Sequence, residues 1–172
     1  MGIRKNLPNM FTLTNLALGV WAVLNMFCGD MFFASLLILI AGMMDRFDGM
    51  LARKLNATSD IGKELDSLCD LVSFGIAPAM LIWNISLKEL SYAGWIVAVI
   101  YILTGAYRLA RYNVTEFDGI YKGIPITIAG GLVAILSLYT LKYREVSHVG
   151  VAVFIMFLSY AMVSTKIRMK KR

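Results

Sequence analysis

Residues 45–70 read DRFDGMLARKLNATSDIGKELDSLCD, a polar stretch set inside an oily chain. Asp45 and Asp48 stand three apart, Asp66 and Asp70 four apart. Each pair therefore projects from one face of one helix. Ionised carboxylates at membrane depth are expensive and mark functional positions. Four of them together need a counter-charge, which a divalent cation supplies. Oxygen ligands favour Mg²⁺ or Mn²⁺ over Zn²⁺, and four carboxylates can hold one ion or bridge two.

The rest of the chain sets the depth of this cluster. Of 172 residues, 59% are hydrophobic and 16% charged, against roughly 25% charged in an ordinary soluble domain. Mean hydropathy is +0.70. The composition is that of an integral membrane protein, expected as a single membrane domain over residues 1–172. A cleaved secretory leader is not expected, because no small-residue cleavage site follows the first apolar run. Cys28 and Cys69 have neither metal-binding nor redox spacing; Cys69 reads as small apolar filling. The lone His148 borders an apolar run and reads as an interfacial residue.

Six apolar segments lie at roughly 10–28, 31–52, 64–84, 91–110, 123–141 and 147–165. Each approaches the ~20 residues needed to cross ~30 Å of hydrocarbon. In lipid such spans must be helices, because the backbone has to satisfy its own hydrogen bonds. The expected fold is all-α with six transmembrane helices and both termini on one side. Only Lys88, Lys142 and Arg144 fall at the opposite ends of the spans, and Arg46 lies within one. The side carrying the termini is therefore predicted to be cytoplasmic. Trp83, Tyr92 and Trp95 fall near the other face. The net charge of +6 flanks apolar segments, which suits contact with anionic lipid headgroups rather than nucleic acid. The basic tail from Lys166 reads as a membrane-surface anchor.

In this topology Asp45 and Asp48 lie near the cytoplasmic end of the second span, and Asp66 and Asp70 near the start of the third. The linker Lys54–Ile61 is short, so the two helices should pack antiparallel with the carboxylates facing each other. Ser59 or Asp60 is expected to cap the third helix. Gly49, Ala52 and Gly62 are small enough to let a ligand, or simply a neighbouring helix, approach the backbone. Thr12 and Asn15, three apart on the first span, can reach a ligand or one of the aspartates; hydrogen bonding between helices is an equal account.

Read as one string, Asp45-x-x-Asp48-Gly49-x-x-Ala52-Arg53, eight residues, Gly62, three residues, Asp66, three residues, Asp70 resembles the signature of the CDP-alcohol phosphotransferases at every position. Within that family, ARKLNATSDIGKELDSLCDLVSFGIAPAM, AYRLARYNV (106–114) and KGIPITIAG (122–130) are similar to the membrane-embedded phosphatidylserine synthase branch. PNMFTLTNL (8–16) is common to the wider family.

The resemblance implies a reaction in which CDP-diacylglycerol and L-serine give phosphatidylserine and CMP. It implies Asp45, Asp48 and Asp66 as metal ligands, with Asp70 sharing the metal site and acting as general base. Gly49, Ala52, Arg53, Ser59, Gly62, Thr12 and Asn15 would line the CDP-diacylglycerol site. The family suggests a homodimer in the inner (cytoplasmic) membrane, its active site facing the cytosol. Arg108, Arg111 and Lys122 form a basic cluster expected to bind the serine carboxylate or the lipid phosphate; snorkelling toward anionic lipid is the plainer account. Gly123 and Pro125 would shape the start of the fifth helix. Two alternatives remain: a relative using glycerol phosphate or an inositol phosphate as acceptor, and a cation transporter. Against the transporter, the carboxylates lie toward one face and the sequence has no repeat.

Overall fold

The computed structural model describes residues 3–54, 59–115, 120–143, 146–166 and 168–170; side chains at 3–8, 48–49, 51–54, 120–122 and 168–170 are outside the description. Six helical rods run through it. They are α1 (Ile3–Phe27), α2 (Met31–Lys54), a composite third rod, α5 (Tyr92–Val114), α6 (Ile126–Lys142) and α7 (His148–Val163). The third rod consists of α3 (Asp60–Asp70), a π-turn (Leu71–Ile76) and α4 (Ala77–Ile85), and a short 3₁₀ turn (Leu87–Leu90) comes after it. The six expected segments are all present, and the third begins earlier than its apolar run, because Ser59 and Asp60 start the helix.

The starts of the rods follow side-chain chemistry. Asp30 accepts from the Phe33 N–H at 2.9 Å and opens α2. The Ser59 hydroxyl oxygen accepts from Gly62 N at 3.0 Å, and Ser147 does the same for α7. Each fills one backbone donor that a helix start leaves unserved. Before α6, Gly123 takes φ +83, and a Cβ there would run into the Met162 carbonyl. Pro125 then stands as the N-cap, so this pair does shape the start of the helix.

The third rod is the axis of the bundle and packs against α1, α2, α5 and α6, while α7 packs on α5. Phe74, Ala77, Leu81 and Ile82 on it are fully buried. The outer surface stays oily: Trp21, Phe32, Leu103, Ile135 and Phe157 are all exposed. An apolar exterior on helices of this length suits lipid rather than water. Residues 9–27, 60–85 and 92–114 are long and apolar enough to cross a bilayer, and α6 and α7 are shorter apolar helices. The protein is membrane-embedded. Trp83 and Trp95 meet with their ring centres 4.5 Å apart, tilted at 47°, on the end of the bundle away from the aspartates, and there Ser86 bonds His148 Nδ1 at 2.9 Å.

A short ribbon departs from an all-helical fold. Ile120–Lys122 and Arg168–Lys170 pair as antiparallel strands, with Lys122 opposite Arg168. The chain beyond α7 is thus paired to the loop between α5 and α6, whereas the sequence suggested only a surface anchor.

Candidate active site

Three elements bring the site together. Helix α2 supplies Asp45, and α3 supplies Asp66 and Asp70, one turn apart. One carboxylate oxygen from each lies within 4.8 Å of the other two. Asp45 and Asp66 are half-buried and Asp70 is only 7% exposed. Three carboxylates this close repel one another unless a cation or protons intervene.

Asn15 of α1 completes the cluster. It is fully buried, and its Nδ2 donates to Asp70 Oδ1 at 3.3 Å. Its own Oδ1 is buried without a hydrogen-bond partner among the described residues. An orphaned buried carbonyl beside three carboxylates is an all-oxygen donor set, and it fits a hard divalent cation. Asp45, Asp66 and Asp70 can hold such an ion. Thr12, one turn before Asn15 on α1, is buried as well.

Helix α3 is held from both flanks, so its carboxylates have a fixed heading. On one flank, Ser73 Oγ, in the turn that follows α3, donates to the backbone carbonyl of Asn15 at 3.0 Å. On the other, Asn113 at the end of α5 bonds Ser67 at 3.0 Å and Glu64 at 3.1 Å, and Lys63 Nζ donates to the Asn113 carbonyl at 2.9 Å. Sequence reasoning missed Asn113 and Ser73. Asn113 lies within AYRLARYNV, the segment already similar to the family, and that was the available signal.

The other expected residues have more varied surroundings. Ser59 spends its hydroxyl oxygen on the α3 cap. Gly62 leaves room for Ser59 Oγ and Asn9 Oδ1, which a Cβ would meet at 3.0 and 3.2 Å; close packing alone accounts for it. Arg108 is 8% exposed near the end of α5. Arg111 Nη1 donates to the Val163 carbonyl at the end of α7, 2.8 Å away, and its guanidinium lies 5.9 Å from the Tyr107 ring centre. The side chains of Asp48, Gly49, Ala52, Arg53 and Lys122 lie outside the described residues. Cys69 is buried beside Asp70 as filling.

Comparison with known proteins agrees with this geometry. The profile of the CDP-alcohol phosphatidyltransferase family matches residues 5–165. A CDP-diacylglycerol–serine O-phosphatidyltransferase of Bacillus subtilis is 40% identical over 132 residues, covering 76% of this chain and 75% of the relative. An archaetidylserine synthase of Methanothermobacter thermautotrophicus is 36% identical over 164 residues, 92% of this chain and 67% of the relative. A CDP-diacylglycerol–serine O-phosphatidyltransferase of Helicobacter pylori is 34% identical over 140 residues, 80% of this chain but 59% of that longer protein. With matched residues running from α1 to the end of α7 and the three clustered aspartates inside them, the chain belongs to the CDP-alcohol phosphatidyltransferase family.

Proposed function

We propose that the protein is a CDP-diacylglycerol–serine O-phosphatidyltransferase. The observation that carries this reading is the convergence of Asp45, Asp66 and Asp70 within 4.8 Å, with Asn15 bonded to Asp70. The names of the three relatives all point to serine as acceptor, whereas their lipid backbones differ.

The reaction is built from the groups available. The serine hydroxyl attacks the phosphorus that bears diacylglycerol. A serine O–P bond forms, the P–O bond to CMP breaks, and phosphatidylserine and CMP result. Asp70 takes the hydroxyl proton as general base. Its Oδ1 accepts from Asn15, which fixes the heading of the carboxylate. Asp45, Asp48, Asp66 and Asp70 would hold Mg²⁺ or Mn²⁺. A bound divalent cation supplies charge neutralisation for the diphosphate as the leaving group separates. Phosphoryl transfer of this kind asks mainly for positioning and electrostatics. Gly49, Ala52, Arg53 and Ser59 contact the CDP moiety, and Arg53 offers phosphate a planar fork. Arg108, Arg111 and Lys122 receive the serine carboxylate or the lipid phosphate.

The active site opens to the cytosol at the end of the bundle that carries both termini, with the protein in the cell membrane as a homodimer. Diacyl chains reach it sideways from the bilayer, while serine and CMP exchange with water. The experiment is direct: purified protein with CDP-diacylglycerol, Mn²⁺ or Mg²⁺, and either L-serine, glycerol phosphate or inositol phosphate. CMP release that requires serine supports the reading. Release only with a phosphorylated alcohol rejects it in favour of another member of the family, and cation flux without CMP release rejects the enzyme.

A further inference from the structure

The third rod changes its winding directly after Asp70. Over Leu71–Ile76 it is a π-turn, and the Ala77 N–H reaches back five residues to the Val72 carbonyl. The cause is visible two residues on. Pro78 has no N–H to give the carbonyl four residues before it, Phe74, and its ring crowds that carbonyl. The Phe74 carbonyl is taken instead by the Tyr101 hydroxyl of α5 at 3.1 Å. Tyr101 is fully buried, and a phenylalanine would fill the same space without serving that oxygen.

The turn is also clamped by its neighbours. A Cβ at Gly130 of α6 would meet Phe74 Cα at 2.8 Å, and one at Gly19 of α1 would meet Ser73 Cα at 2.8 Å. Ser73 in turn bonds the backbone carbonyl of Asn15, the residue whose side chain holds Asp70. Backbone contact from α1 and α6 and a hydroxyl from α5 thus converge on one turn.

The geometry gives that turn a purpose. One residue added to the helical ladder rotates the downstream half of a rod by about 100° relative to the upstream half. The downstream half is anchored in the core through Ala77, Leu81 and Ile82. Rewinding the turn as an ordinary α-helix would therefore swing Asp66 and Asp70 away from Asp45. We propose that Tyr101 is a positioning residue: its hydroxyl keeps the Phe74 carbonyl satisfied, preserves the π-turn, and so aims Asp66 and Asp70 at Asp45. This rests on the reading that these carboxylates are the reaction centre.

The test compares wild type, Tyr101→Phe, Pro78→Ala and the double variant, each purified in detergent. Three quantities are read: serine-dependent turnover, Mn²⁺ affinity by electron paramagnetic resonance without substrate, and Tm. Tyr101→Phe should lower kcat by about 10- to 100-fold with KM for CDP-diacylglycerol nearly unchanged. It should weaken Mn²⁺ binding about 10-fold and lower Tm by ~2–8 °C. In the double variant the Pro78→Ala change restores the missing backbone N–H, so Tm recovers; kcat and Mn²⁺ affinity stay low, because the rod is now wound as α.

A purely stabilising hydroxyl would restore all three together, and that result overturns the proposal. So does a Tyr101→Phe protein with unchanged kcat and Mn²⁺ affinity. Should Tyr101→Phe alone fail to fold, Pro78→Ala and the double variant carry the comparison: folded protein with reduced Mn²⁺ affinity supports the proposal, and folded protein with wild-type affinity overturns it. Wild-type protein that binds Mn²⁺ yet releases no serine-dependent CMP would sink the assigned reaction, while the Mn²⁺ series still judges Tyr101.

Discussion

Before the π-turn, α3 runs for 11 residues and buries only Cys69 and Asp70; after it, α4 runs for nine and buries Ala77, Pro78, Ala79, Leu81 and Ile82. The first half is held by polar bonds to α1 and α5, through Asn15 and Asn113. The second half is held by packing. Asp45 and Asp66 are only half-buried, and the buried Asp70 accepts from Asn15, so hydrogen bonds hold the carboxylates' heading while the packed half anchors the rod. The contrast teaches that activity and stability should separate along this one rod, with the π-turn as the boundary.

Variants can break or sharpen that contrast. The largest effect is expected at Asp70. Asp70→Asn removes the proposed general base and cation ligand, and should cut serine-dependent CMP release by about 10³-fold or more. Its Tm should hold or rise, since one of three mutually repelling charges is gone; a thermal scan beside the turnover assay checks both. Asn15→Ala is next. It strips the donor from Asp70, and loss of such a supporting partner typically costs about 10- to 100-fold. That loss should appear in kcat and Mn²⁺ affinity rather than in KM for serine.

In the packed half, Leu81→Ala should show the reverse pattern. A cavity in a fully buried position costs about 1–3 kcal/mol of packing in a lipid-solvated bundle. Denaturant titration should register it, while the folded fraction keeps its kcat and both KM values. Ser59→Ala gives the smallest effect, about 1 kcal/mol from the lost α3 cap. The proposed contact of Ser59 with the nucleotide should add a modest rise in KM for CDP-diacylglycerol, and an unchanged KM would remove Ser59 from that site. If Leu81→Ala silenced turnover as completely as Asp70→Asn, the separation would be false.

Much of this was legible in the sequence, for definite reasons. The helices announce themselves by length and hydropathy. Asp66 and Asp70 declare a shared face by their spacing, and Asp45 joins them because a short linker forces α2 and α3 to run side by side. Ser59 was a recognisable cap. The π-turn was not legible, because LVSFGIAPAM is apolar on every side and carries no phase from which to read a register change. Pro78 marked a disturbance without telling its kind. Tyr101 was one of eight tyrosines, and only the position of Phe74 gives it meaning. The ribbon of Ile120–Lys122 with Arg168–Lys170 escaped because three-residue strands exist only through a partner far along the chain. The ligand of the basic cluster Arg108, Arg111 and Lys122 was not legible, since snorkelling cations and ligand-binding cations look alike in sequence.

The most direct measurement is a product balance on the purified protein, with CDP-diacylglycerol, radiolabelled L-serine and Mn²⁺, run beside Asp70→Asn and a chelator-treated sample. The account predicts phosphatidylserine and CMP in equal amounts from the wild type, and neither from the other two. Equal product formation in Asp70→Asn, or CMP release indifferent to serine, would contradict it.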